Sequence, residues 1–248
     1  MSSSAKHSPK ARHSRPQRRP LIVSCEHGGN RVPARYAHAF AGAAEVLDSH
    51  RGLDYGALEI ARAFGKGLGV EPFAATTTRL VVDLNRSPYH KNVFSEYTRP
   101  LSRAERAAAM AEHYWPYRTA VEDAVKQGVA AGAGVLHVSS HSFTPVLRGE
   151  ERNCDVGFLY DPAQRGEVRF VEAWHAALAA AAPELRVRRN YPYRGVSDAL
   201  VTHLRRRYSA RGYVGLELEV NQKHHRSRGW RALVTVLSET LAEAVERG

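Results

Sequence analysis

The sequence predicts an α/β domain in which helices cover a mixed, mostly parallel sheet. Three observations carry this. Short apolar runs bounded by turn residues alternate with amphipathic segments of helical period. The 248 residues, 43% hydrophobic, suffice for one substantial core without requiring two. No internal repeat or coiled-coil pattern breaks the alternation.

Leu21 to Cys25 is a short apolar strand. Asp54 to Leu68 sets Leu58, Ala61, Phe64 and Leu68 on one helical stripe, which Gly69 closes. Strand-like stretches follow at Pro72 to Thr76 and Leu80 to Val82. Ser102 with Glu105 three residues later fits a capping box, opening a helical region to Ala131 in which Pro116 marks a kink or break. Val135 to Ser139 reads as a buried strand. Then come an extended Val156 to Tyr160, a helical Glu167 to Ala182, an extended Leu185 to Arg189 and a helical Ser197 to Ala210. Val214 to Val220 is the last strand. A terminal helix over Arg228 to Arg247 presents Trp230, Leu233, Val234, Leu237, Leu241 and Val245 as its apolar face.

No apolar run approaches the roughly 18 residues of a membrane span, and no apolar signal core opens the chain. A soluble protein without a membrane partner is expected. Two cysteines, Cys25 and Cys154, are too few for a disulfide framework, so the cytoplasm is the expected compartment. Cys25 precedes His27 by two residues and raises a Cys nucleophile; inert packing is the commoner state of a thiol on a buried strand.

The net charge is +11, but residues 1–20 hold six Lys or Arg and no acid. The other 228 residues carry only +5, 30 basic against 25 acidic. Residues 1–19 are expected to be a disordered basic tail before a domain over residues 20–248. No nucleic-acid-binding module follows the tail, so nucleic acid is not the expected partner.

Four segments carry chemistry. His27 in LIVSCEHGGN and His141 in GVLHVSSHSFTP each stand where an apolar strand meets small residues, at the rim of a sheet. Imidazole is the commonest protein ligand for zinc, so the pair reads as two metal ligands brought together by folding. Gly28 and Gly29 would let backbone pass close to a bound group, and Asn30 would hydrogen-bond substrate or backbone. A carboxylate is the usual third ligand in hydrolytic zinc sites. Asp54 is the chosen one, although Asp at a helix start is also an ordinary cap; Glu26, adjacent to His27, points the other way in an extended chain.

Arg79 and Arg86 flank an apolar stretch and, with Asn85, could grip substrate carboxylates; Asp83 is expected to pair with one Arg and support the loop. In Gly215 to Gln222, a two-residue period puts Glu217, Glu219 and Asn221 on one face of an otherwise apolar strand. Buried acids are costly unless paired, metal-bound or catalytic, and either glutamate could be a general base. The turn Asn190 to Gly195 offers Arg194 as a further substrate contact or serves as a plain connection.

In SCEHGGNRVP, TRLVVDLNRS, SSHSF and LELEVNQ, taken in that order, the chain resembles the N-formylglutamate amidohydrolase family, related to zinc carboxypeptidases and to aspartoacylase and succinylglutamate desuccinylase. The resemblance runs from about residue 20 to the terminal helix. It implies a phosphorylase/hydrolase-like three-layer α/β/α fold and zinc-dependent cleavage of N-formyl-L-glutamate to formate and L-glutamate. By resemblance, His27 and His141 are the metal histidines, Arg79, Asn85 and Arg86 bind carboxylate, and Glu219 activates water. Asn30 stands where carboxypeptidase and aspartoacylase relatives have Glu. A related metallo-acylase or peptidase, a metal-free Cys amidase and a non-catalytic binding protein are the alternatives.

Overall fold

Residues 19–247 are described by the structure, a computed structural model. The expected basic tail, apart from Arg19, lies outside them. In chain order the elements are β1 (Leu21–Cys25), α1 (Ala44–Leu47), α2 (Ala57–Leu68), β2 (Phe73–Ala74), α3 (Arg103–Ala109), α4 (Trp115–Ala130), β3 (Val135–Phe143), β4 (Val146–Leu147), β5 (Glu150–Glu151), β6 (Val156–Leu159), α5 (Arg165–Ala181), β7 (Val187–Arg189), α6 (Leu200–Arg207), β8 (Tyr213–Asn221) and α7 (Trp230–Arg247).

Six strands form one sheet in the order β2-β1-β3-β8-β6-β7. The first four run parallel, β6 is antiparallel to β8, and β7 is parallel to β6. This is the mixed, mostly parallel three-layer sheet that the alternation predicts. Strand alternation gives each face its helices. Val23, Val138, Leu216, Leu218 and Phe158 pack against Ile60 and Phe64 of α2, Trp174 of α5 and Leu237 of α7. The opposite face meets Val121 and Val125 of α4 and Leu200 and Leu204 of α6. Toward the carboxyl ends of β1, β3 and β8 that second face turns polar, and there the site lies.

Departures from the sequence reading have local causes. Leu80–Val82 is a buried turn, not a strand; Ser95 and Thr98 hydroxyls satisfy its Leu80 and Val81 carbonyls in place of a ladder. The capping box at Ser102 forms as expected. A wide π-helical turn over Met110–Tyr114 then separates α3 from α4, just before Pro116, whose nitrogen carries no hydrogen to donate. β3 runs four residues beyond Ser139, so His141 belongs to the strand itself. α6 starts at Leu200, because Ser197 and Asp198 are drawn into the cavity wall.

Candidate metal centre and catalytic cavity

Parallel pairing of β3 with β8 sets Ser139 beside Glu217 and His141 beside Glu219. All four are buried, so the polar side of β8 is an interior one. His27 follows β1 in a turn whose glycines have a packing duty. A Cβ on Gly29 would lie 2.5 Å from the Thr76 oxygen, and Gly28 N–H donates to Ala75 O. The glycines therefore admit the neighbouring chain and not, as the sequence reading had it, a bound group.

Asp54 does not cap α2. Gly56, in the left-handed region at φ 79°, is the N-cap of α2, and no side chain caps that helix. The Asp54 carboxylate turns inward instead. Its Oδ2 lies 3.3 Å from His27 Nδ1 and 2.9 Å from His141 Nδ1. One donor atom from each of these three residues lies within 4.8 Å of the other two.

The far ring nitrogens are held by other acids. His27 Nε2 is 2.8 Å from Asp83 Oδ1, and His141 Nε2 is 3.1 Å from Glu26 Oε2. Histidine metal ligands are commonly oriented this way, by a carboxylate on the nitrogen that does not face the metal. Arg79 donates to Asp54 Oδ1 at 3.2 Å and Asp83 Oδ2 at 2.9 Å, the supporting ion pair expected of Asp83. Burial alone would raise the Asp54 carboxyl, but His27, His141 and Arg79 hold it well below the usual carboxylate range. Burial opposes the charge on His141, yet Asp54 and Glu26 raise it well above the ordinary imidazole value.

A cavity of about 240 Å³ opens over this group, lined among others by Arg79, Asn85, Arg86, Arg194, Glu217 and Glu219. Asn85 is used internally: it donates to Glu217 Oε1 at 2.8 Å and accepts from Leu200 N–H. Arg86 donates to the Asp198 carbonyl. The exposed Arg194 side chain makes no hydrogen bond or ion pair among the described residues. Glu219 Oε2 is buried without a partner, and burial, reinforced by Asp54 and Glu217 against the pull of His141 and Arg79, raises this carboxyl to about 8.

Two candidates lie apart. Asn30 donates to Leu47 O and does not line the cavity. Glu26 sits behind His141, where Ser139 and Tyr117 donate to it. Cys25 and Cys154 are free and buried, and burial raises both thiols, so neither is a poised nucleophile. Sequence reasoning missed His50 at the cavity, the contact of Asp83 with His27, and the buried His137, Ser24 and Tyr213. The HRGLD run and the polar letters inside strands were the available signals.

A three-layer α/β/α domain with a buried His-Asp-His group beneath a cavity lined by acids and arginines defines the architectural class of the protein. The chain belongs to the N-formylglutamate amidohydrolase family, whose sequence profile matches residues 19–225. A gene product of Agrobacterium tumefaciens with a crystal structure is 29% identical, with a TM-score of 0.76 over 92% of this chain and 90% of that one. The crystal structure of an N-formylglutamate amidohydrolase from Ralstonia eutropha has the same fold, at 20% identity and a TM-score of 0.70 over 94% of this chain and 96% of that one. No curated protein is significantly similar in sequence.

Proposed function

We propose that the protein hydrolyses the amide bond of a small acidic N-acyl amino acid, with N-formyl-L-glutamate, cleaved to formate and L-glutamate, as the leading substrate. The observation that carries this is Glu219, a buried carboxylate with an unpartnered oxygen beside the His27-Asp54-His141 group. Two imidazoles and a carboxylate, each imidazole backed by another acid, suit a divalent metal and zinc in particular. The surrounding interior also holds more acids than cations: Glu26, Asp83, Glu217 and Glu219 are buried there, and Arg79 pairs with Asp83 and with Asp54 itself. Zinc bound there would polarise the acyl carbonyl and acidify water.

The chain's own residues supply the rest. With a cation bound, Glu219 would fall from about 8 and ionise; its Oε2 then accepts the proton of the attacking water and returns it to the leaving nitrogen. Arg86 and Arg194 hold substrate carboxylate, while Arg79 keeps Asp54 and Asp83 in place. Asn85 fixes Glu217, which leaves Glu219 as the base. The family profile supports amide hydrolysis, and the catalytic domain is read as residues 20–248, with the basic residues 1–19 outside it. The cytoplasm is the assigned compartment, consistent with two buried free thiols.

Glu219→Gln should lower turnover of N-formyl-L-glutamate by at least roughly 100-fold with zinc content unchanged. Undiminished turnover would remove Glu219 from the mechanism. A panel of N-acyl amino acids and short peptides separates this reading from a related acylase or peptidase.

A further inference from the structure

The turn Asn190 to Gly195 is clasped at both ends. Asn190 Oδ1 accepts from Tyr160 N–H at 3.2 Å and from Gly195 N–H at 2.9 Å. Gly157 and Gly195 approach the Tyr191 oxygen and the Tyr160 backbone so closely that neither has room for a Cβ. From this fixed turn Tyr193 and Arg194 line the cavity that also holds Phe143, Glu219 and the His27-Asp54-His141 group.

Behind Tyr193 stands Arg152, only 9% exposed and not itself part of the cavity wall. Its backbone is pinned on both sides: its N–H donates to Pro145 O at 2.8 Å, and its carbonyl accepts from Asn221 Nδ2 at 3.2 Å. Its guanidinium carbon lies 4.9 Å from the ring centre of Tyr193 and 5.9 Å from that of Phe143. Nη1 donates to Tyr193 Oη at 2.9 Å. Among the described residues no carboxylate pairs with this cation. A buried charge normally has an opposite charge beside it, and two ring faces offset only part of the cost.

We infer that Tyr193 is a specificity-determining residue whose hydroxyl donates to a carboxylate of the substrate, with Arg152 as the positioning residue behind it. This rests on the acidic substrate proposed above and names a further group that holds it. The Tyr193 oxygen accepts from Arg152, so its own hydrogen remains to be given, and no acceptor for it occurs among the described residues. A cation bonded to the phenol oxygen polarises its O–H and makes it a better donor to an anion. The ligand meets Tyr193 and not Arg152, so the buried charge reaches it only through that hydroxyl. Arg194, the next residue, adds a free guanidinium on the same wall, and one rigid turn thereby offers an anion two donors.

Calorimetric titration with L-glutamate, L-glutamine and L-isoglutamine tests this without turnover, since none of them carries an N-acyl bond and each amide lacks one of the two carboxylates. Tyr193→Phe, which keeps the ring, should weaken L-glutamate about 10-fold, the scale of one hydrogen bond to a charged group. The loss should shrink for the one amide that lacks the carboxylate held by Tyr193. In turnover of N-formyl-L-glutamate the same variant should raise KM and leave kcat within 2-fold. Arg152→Met should weaken L-glutamate as well, yet add little to Tyr193→Phe in the double variant, because both act on one contact. Equal losses for all three ligands, no loss at all, or a lowered kcat at unchanged affinity would overturn the inference, as would a wild type that binds none of the three. Should Arg152→Met fail to fold, Tyr193→Phe decides, its hydroxyl being at the accessible face of the turn. Should the wild type bind L-glutamate and leave N-formyl-L-glutamate intact, the hydrolytic reading falls alone and the titrations still decide the role of Tyr193.

Discussion

Arg79 shows how a residue can be located by sequence while its partners stay hidden. Its position among apolar letters marks it as special, and a loop guanidinium is an obvious substrate clamp. In the fold both of its Nη atoms donate to acids, Asp54 and Asp83, each of which also orients His27. A buried carboxylate that loses its cation is left uncompensated, at a cost of about 3 kcal/mol or more. Arg79→Met should therefore lower the zinc-free melting temperature by roughly 6–12 °C in a domain of this size. Arg79→Lys should recover little, since one ammonium cannot bridge two carboxylates as the planar fork does. A variant with unchanged melting and only a raised KM would restore the substrate-clamp role. Residues such as His27 and His141 were legible because imidazoles at strand ends have few structural duties. Partnerships such as Asp83 with His27 were not, because they join residues 56 positions apart through a turn with no periodic signature.

Elements were legible where their period was long and their ends were marked. α2, α5, α7, β1 and β8 lie within a few residues of their expected limits, since stripes, alternation and Gly69 are local features. Leu80–Val82 and the start of α6 were not, because there side chains from elsewhere take the backbone groups that a strand or helix would use. The antiparallel entry of β6 was likewise invisible, and one residue secures it. Asp155, just before β6, accepts from Arg186 N–H at 2.8 Å and pairs with His224 at 2.9 Å and with Lys223, joining three segments. Burial would raise its carboxyl, but Lys223, Arg186 and His224 hold it well below the ordinary value. A depressed carboxyl contributes stability above the unfolded pKa near 4, and that stability is lost as pH falls through the folded value. Arg186 and Lys223 are 49% and 35% exposed, so screening removes much of the pair energy. Asp155→Asn should cost about 1 kcal/mol at pH 7, or roughly 2–4 °C in melting temperature. The gap should begin to narrow below pH 4 and close only as pH approaches the folded value; a gap independent of pH would assign the loss to hydrogen bonding alone.

At the scale of the molecule, the three residues of the His27-Asp54-His141 group come from three separate pieces of chain: the turn after β1, the loop before α2, and β3 itself. No stretch of sequence displays the site whole, although each piece carries its own marker. Folding brings their donor atoms within 4.8 Å of one another and surrounds them with buried acids that outnumber the buried cations. A metal-free fold therefore confines excess negative charge in a region of low dielectric, where repulsion is least screened. A divalent cation relieves that repulsion only in the folded state, because unfolding scatters the ligands. Binding must then raise stability by mass action, by about 2.7 kcal/mol at free zinc 100 times the dissociation constant. For a domain of this size the melting temperature should rise by roughly 5–11 °C. A chelator should reverse the rise, magnesium should fail to produce it because nitrogen donors suit zinc better, and His141→Ala should abolish it. A wild-type melting temperature indifferent to zinc at saturating concentrations would show that the His27-Asp54-His141 group is held together by its own hydrogen bonds and not by a metal.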